Sequence, residues 1–309
     1  MYISGYVVNG AGLGVAHYWK DERPVPLSDG TTQAGAYTIA VAGGVVHVAG
    51  YVKNGGGVMV ATHWVNGVAQ ALSASGTPSR ARNLVLNGPD VLIAGEENNA
   101  AGITVARYWR NGVAVPLTDG THNAHAYSIA AAGSDVWVVG FEDNAAGFSV
   151  ATLWKNGVAT RLTDGTRNAR GYGVGLSGAD VYVAGYDNTA AGIRVATLWK
   201  NGLAVPLTDG TVHADVFTLS FYGTDRYAAG YLTGGAGAWM ATVWKNGVPT
   251  PFTSGATDAE VFGAAVVGGE VLAPGYELDA AGLLVGKYWR NGRAVVLAPQ
   301  GEATAIAVD

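Results

Sequence analysis

The chain contains no cysteine. Disulfides, thiolate metal sites and cysteine nucleophiles are thereby excluded, and the redox compartment is left open. Charge is scarce as well: Asp, Glu, Lys and Arg make up 13% of the 309 residues, against about a quarter in an average domain. The net charge of −5 supplies no basic field, so nucleic acid is not an expected partner. No apolar run approaches the ~18 residues of a membrane span. No sustained 3.6-residue apolar period marks a helix. The first residues, Met-Tyr-Ile-Ser-Gly-Tyr, carry neither a basic segment nor an apolar stretch of signal type. A removed signal would leave the same picture, and only in that event is an extracellular or cell-surface setting expected. Motif chemistry is missing too. There is no His-Glu-x-x-His, Gly-x-Ser-x-Gly, P-loop or dinucleotide-binding loop, and no cofactor or resident metal is implied.

What the chain has is glycine, 47 residues of it, and a period. Tryptophan recurs at Trp19, Trp64, Trp109, Trp154, Trp199, Trp244 and Trp289, always 45 residues apart. A strict period makes one repeat architecture the first reading of residues 1–309, with no linker and no second domain. Within one unit, Gly171 to Leu176, Val181 to Tyr186, Ile193 to Trp199 and Leu203 to Leu207 are short runs bounded by turn residues, the signature of strands. Asn-Gly at 66–67, 111–112, 156–157, 201–202, 246–247 and 291–292 predicts type I′ hairpins. The first copy has Asp21-Glu22, where a different turn is expected. Gly12 and its six equivalents suit a turn with positive φ. Gly5, Gly50, Gly95, Gly140, Gly185, Gly230 and Gly275 lie within the second strand, where close approach of a neighbouring backbone is the expected cause.

Four short strands in 45 residues predict the blade of an all-β propeller. Residues 1–6 align with a second strand and residues 302–309 with a first, so one of seven four-stranded antiparallel blades is expected to close by joining the two. Closure of this kind removes exposed sheet edges.

The Trp-[Lys/Arg]-Asn-Gly signature followed by Leu-Thr-Asp-Gly-Thr, Ser-Gly-Asp and Val-Tyr-Val-Ala-Gly-Tyr resembles a group of bacterial propeller repeat proteins of unassigned function. The unit is more loosely similar to Kelch and WD-repeat blades, without their Gly-Gly or Trp-Asp marks. The resemblance spans the chain and implies a fold, but it supplies no catalytic residues.

Positions that stay fixed among the seven copies answer to packing and turns, whereas a reactive group in one or two copies marks a candidate site. The seven tryptophans read as inter-blade packing, each ring burying roughly 200 Å². A ring of sugar platforms would need polar partners that repeat, and the residue two before each Trp does not. Asp90, Asp135, Asp180, Asp225 and Glu270 precede the second strand and read as structural. Glu96, Glu97, Glu142, Asp143, Asp187, Glu277 and Asp279 are assigned to the second turn, as turn chemistry or as oxygens for calcium. Trp137 is expected in the core and Trp239 at an exposed contact position.

The loop into each first strand varies most. One equivalent position reads Gly35, Arg80, His125, Arg170, Asp215 and Glu260, basic over three consecutive blades and acidic over two. Arg82, His122, Arg167, His213 and Asp258 lie nearby. Together these residues are expected to form an axial rim that binds a ligand. Solvated loops, with Arg170 pairing to Asp215, are the alternative. His122, His125 and His213 around an axis can also be imagined on a metal, with nothing to fix their geometry.

Three functions stand open. The first is a non-catalytic binding propeller for a glycan, peptide or partner protein, expected as a monomer. The second is a glycan-active hydrolase or lyase using the axial carboxylates. The third is a structural, engineered or recently amplified scaffold with no ligand, which the absence of loop insertions favours.

Overall fold

The computed structural model describes residues 1–74 and 76–308, and no helix occurs among them. The Asn-Gly pairs set the outer hairpins. Asn66, Asn111, Asn156, Asn201, Asn246 and Asn291 have φ of 48–52°, and the glycines after them 81–88°, as a type I′ turn requires. Asp21 and Glu22 adopt the same left-handed pair, at 48° and 65°, so the different turn expected there is corrected. Lys20 pairs with Arg23 as the flanking residues do in every other blade, and the twist of the strands favours this primed turn for a two-residue loop in that register.

Seven sheets result. In blades 2 to 6 the inner strands are Ala34–Ala42, Ser79–Asn87, Ala124–Ala132, Ala169–Ser177 and Ala214–Tyr222, each followed outward by three antiparallel strands. Blade 7 splits its inner strand into Ala259–Val261 and Ala265–Val267. Pro274 stands opposite the break, and proline has no N–H to donate to the ladder. Blade 1 is built from Gly301–Ala307, Tyr2–Val8, Gly14–Lys20 and Arg23–Pro26, so the first and last strands of the sequence close the ring side by side.

The seven repeated tryptophans are all at most 1% exposed. Trp19 packs among Leu272 and Tyr288 of blade 7 and Ile3 of its own blade. Trp154 fills the same place between blades 3 and 4, against Leu92, Ala94 and Tyr108. Each ring thus seals the wedge between neighbouring blades.

One device recurs in the inner strands and aims the site. The register to the second strand shifts between Ala36 and Thr38, Ala81 and Asn83, Ala126 and Ser128, Gly171 and Gly173, and Val216 and Thr218. The skipped residues are Tyr37, Arg82, Tyr127, Tyr172 and Phe217, with Phe262 and Thr304 as their equivalents in blades 7 and 1. A bulge re-aims the side chain it carries, here toward the axis. It also pushes the preceding carbonyl across the sheet. A Cβ on Gly95 would overlap the oxygen of Arg80, and one on Gly185 the oxygen of Arg170. The glycine series in the second strand is therefore the space the bulge needs.

Candidate functional site

The bulge residues form a collar around the axis. Tyr127, Tyr172, Phe217 and Phe262 succeed one another with ring centroids 5.0, 5.5 and 5.6 Å apart. Arg82 continues the collar as a guanidinium held between rings, 5.3 Å from the centroid of Tyr37 and 5.6 Å from that of Tyr127. Thr304 is the one small member. Its hydroxyl donates to the carbonyl of Ala36 at 2.8 Å and meets Ser4 Oγ at 3.1 Å. A cavity of about 450 Å³ is lined by this collar, by Glu302, and by residues one and two places further along the inner strands.

Behind the collar stands a second ring on the second strands: Tyr6, Tyr51, Glu96, Phe141, Tyr186, Tyr231 and Tyr276. In five blades a collar ring packs on the aromatic behind it, from Tyr37 on Tyr51 at 5.7 Å to Phe217 on Tyr231 at 6.1 Å. Blade 3 replaces that aromatic pair with an ion pair. Arg82 Nη2 and Nε donate to Glu96 Oε1 at 2.7 and 2.9 Å.

Glu96 is 3% exposed and draws in three of the expected rim residues. His125 Nδ1 lies 3.7 Å and Arg80 Nη1 3.8 Å from its Oε1, beside Arg82. Burial alone would raise this carboxyl, but the Arg82 charge and its hydrogen bonds, with His125 close by, hold it at about 2. The assignment of Glu96 to a turn is corrected. The second strands run through Asn98, Asp143, Asn188 and Leu278, so of that acidic series only Asp279 sits in the turn. Glu97 pairs with Arg107 at 2.5 Å and Glu277 with Lys287 at 2.6 Å, ordinary cross-strand partners.

The other expected rim residues divide. Asp215, 1% exposed, accepts from Arg194 Nη1 at 2.9 Å and from the Tyr231 hydroxyl at 3.2 Å. Its partner is therefore Arg194 on the third strand of blade 5, not Arg170. Burial pushes Asp215 up to about 6, against the pull of Arg194. Arg170 lays its guanidinium 4.3 Å over Phe141, and its buried Nε has no hydrogen-bond acceptor. Glu260 is 9% exposed. Burial, with Glu302, Asp215 and Asp258 nearby, pushes it up to about 8. Glu302 occupies the same place in blade 1 that Glu260 occupies in blade 7. It too is raised by burial, against the Tyr6 hydroxyl.

Four residues of the expected rim do not join this cluster. Asp258 Oδ1 and His213 Nδ1 accept the backbone N–H of Trp239 and Arg194 at 2.8 and 3.1 Å. They clamp the start of a third strand, as Asn123 and Asn168 do in blades 3 and 4. His122 and Arg167 are exposed on the loops outside it. Among the described residues no group of three or more His, Cys, Asp or Glu is placed to hold a metal, so the three histidines do not converge. Trp239 is half-buried rather than exposed, because its ring stacks on Tyr231 at 4.9 Å. Asp90, Asp135, Asp180 and Asp225 accept from the hairpin asparagines at 2.7–2.8 Å, the structural role expected of them.

No family model matches the chain, and no curated protein matches it in sequence. Solved structures do. The chain is similar to the acylaminoacyl peptidase of Pyrococcus horikoshii, with a TM-score of 0.58 at 11% identity over 96% of this chain and 50% of that one. The β-propeller domain of the trilobed protease from Pyrococcus furiosus gives 0.58 at 12% identity, over 96% and 93%. A Mycobacterium tuberculosis puromycin-hydrolysing peptidase gives 0.56 at 13%, over 89% and 48%. The chain spans about half the length of the first and third of these proteins. At such identities the likeness establishes the propeller fold.

Proposed function

We propose that the protein is a non-catalytic binding propeller whose axial cavity receives a small polar group presented by a glycan, a peptide or a partner protein. One observation carries the reading. A cavity of about 450 Å³, within the size range of small-ligand sites, is walled by side chains from all seven blades. Those walls combine aromatic faces with two charged side chains, Arg82 and Glu302. Beside them, Arg170 has no acceptor for its buried Nε, and Glu260 is buried with other carboxylates nearby. Such groups are costly to bury unless something else completes them. Likeness to peptidase propellers makes peptides the first class to screen.

A second reading, a hydrolase or lyase acting on glycans, is favoured by Glu260 alone. A carboxyl raised to about 8 is protonated at neutral pH, as a general acid must be.

A thermal-shift screen against peptides, glycans and small acids and amines tests the binding reading. Hits should be lost in Arg170→Ala and Tyr172→Ala, both of which should keep the parent's far-ultraviolet spectrum. Hits that survive both changes place the site elsewhere. Turnover of a screened glycan that Glu260→Gln abolishes would favour the second reading.

A further inference from the structure

Glu302 lines the axial cavity, and Glu260 lies near enough to feel its charge. Glu260 and Glu302 stand at the same position of adjacent blades, 7 and 1, and each acts electrostatically on the titration of Tyr276. Neither has a cationic partner among the described residues. Between these two blades the collar is incomplete, because Thr304 stands where other blades place an aromatic ring or Arg82. Phe262 and Tyr37 flank that gap. The protein shows elsewhere what such a collar accepts: in blade 3 it holds its own guanidinium, Arg82, between Tyr37 and Tyr127 and against the carboxylate of Glu96. The gap at Thr304 offers the same two ingredients, aromatic faces and carboxylates, with the cation missing.

From this geometry we infer that the axial site takes a compact organic cation, a guanidinium or primary ammonium, bound between Glu260 and Glu302 above Thr304. This rests on the reading of the cavity as a binding site and names the class of group that enters it. The cation can come from a free diamine or from an Arg or Lys side chain of a peptide. Anions are served on the other side, where Arg170 lies.

Binding of this kind releases protons. Around Glu260 stand Glu302 of blade 1, Tyr276 and Asp258 of its own blade, Asp215 and Tyr231 of blade 6, and Arg194 of blade 5. Carboxylates dominate that environment and favour the protonated form of Glu260, whose proton an incoming cation would displace to solvent.

Calorimetric titration of the full chain with agmatine and with N-methylurea, a neutral isostere of methylguanidinium, tests the inference. Agmatine should bind at least about tenfold more tightly than N-methylurea, and more tightly at pH 8 than at pH 6. Buffers of different ionisation enthalpy should report proton release. The Glu260→Gln, Glu302→Gln double variant should lose about tenfold or more, and each single variant part of that. A pentapeptide with a central Arg, set against its citrulline counterpart, separates the two sources. Tighter binding than agmatine assigns the cation to a peptide side chain, and weaker binding to a free amine. Equal affinity of the double variant and the parent overturns the inference, as does equal affinity for N-methylurea. If neutral or anionic ligands bind and are lost in Tyr172→Ala while no cation binds at millimolar concentration, this inference fails and the binding reading stands. If no ligand of any charge binds, both fail. Should the double variant fold poorly, Glu302→Gln alone and Phe262→Leu carry the same comparison.

Discussion

The carbonyl oxygen of Arg80 occupies the space in which a side chain at Gly95 would begin. The bulge that turns Arg82 toward the axis is what places that oxygen there, so the glycine and the site are one device. Gly95→Ala should cost about 3 kcal/mol or more as an overpacked site with backbone on the far side. Equilibrium urea unfolding measures it. A loss under about 0.5 kcal/mol, the range of a neutral surface change, would show that the bulge can be relaxed cheaply.

Trp154 should behave as a core residue. Trp154→Ala removes a fully buried ring between blades 3 and 4 and is expected to destabilise by roughly 3–5 kcal/mol. An unchanged unfolding midpoint would return the tryptophans to the role of ligand platforms.

The Arg82–Glu96 pair takes the place of an aromatic pair. Glu96→Gln leaves a buried guanidinium without its counter-charge and should cost about 3–5 kcal/mol. Arg82→Tyr combined with Glu96→Tyr restores the arrangement of blades 2, 4 and 5, and should match or exceed the parent's stability. A double variant as unstable as Glu96→Gln alone would mean that blade 3 needs the charges for reasons other than filling space.

The pH response of stability should carry the mark of Glu260. Burial raises this carboxyl from 4.5 to about 8 in the folded protein, reinforced by Glu302, Asp215 and Asp258. The folded state therefore holds the proton more tightly than the unfolded one. The resulting stability is fully present below pH 4.5 and is lost as the pH climbs through 8. Glu260→Gln, which cannot ionise, should melt above the parent at pH 9 and level with it at pH 4. Identical melting temperatures at pH 9 would show that Glu260 ionises in the fold without penalty.

The blades, the hairpins and the buried tryptophans were legible because each answers to a local rule repeated at a fixed spacing. The clash behind Gly95 was legible for the same reason. The collar was not. A one-residue bulge changes where Tyr37, Tyr127 and Tyr172 point without altering the alternation of apolar and polar residues around them. Glu96 was assigned to a turn because the apolar run stops at Gly95, although the ladder continues to Asn98. Glu302 does not stand out in the sequence as the seventh member of the rim, because the loop before it is three residues shorter than its equivalents. Asp215 found Arg194 rather than Arg170 because the third strand of one blade faces the next, a relation between blades that spacing within one unit does not express.

Glu302 and Thr304 stand on Gly301–Ala307, the strand that shuts the ring by pairing with Tyr2–Val8. Hydrogen bonds and burial fasten these two strands together. A ligand gripped by Glu302 occupies a place that vanishes whenever the strand peels away. Mass action then makes the occupant a clasp: it raises the free energy of opening by RT times the logarithm of one plus the ratio of ligand concentration to its Kd. Amide exchange at Ile3 to Val7 should slow with ligand concentration, while the inner ladder of blade 5 keeps its own rate.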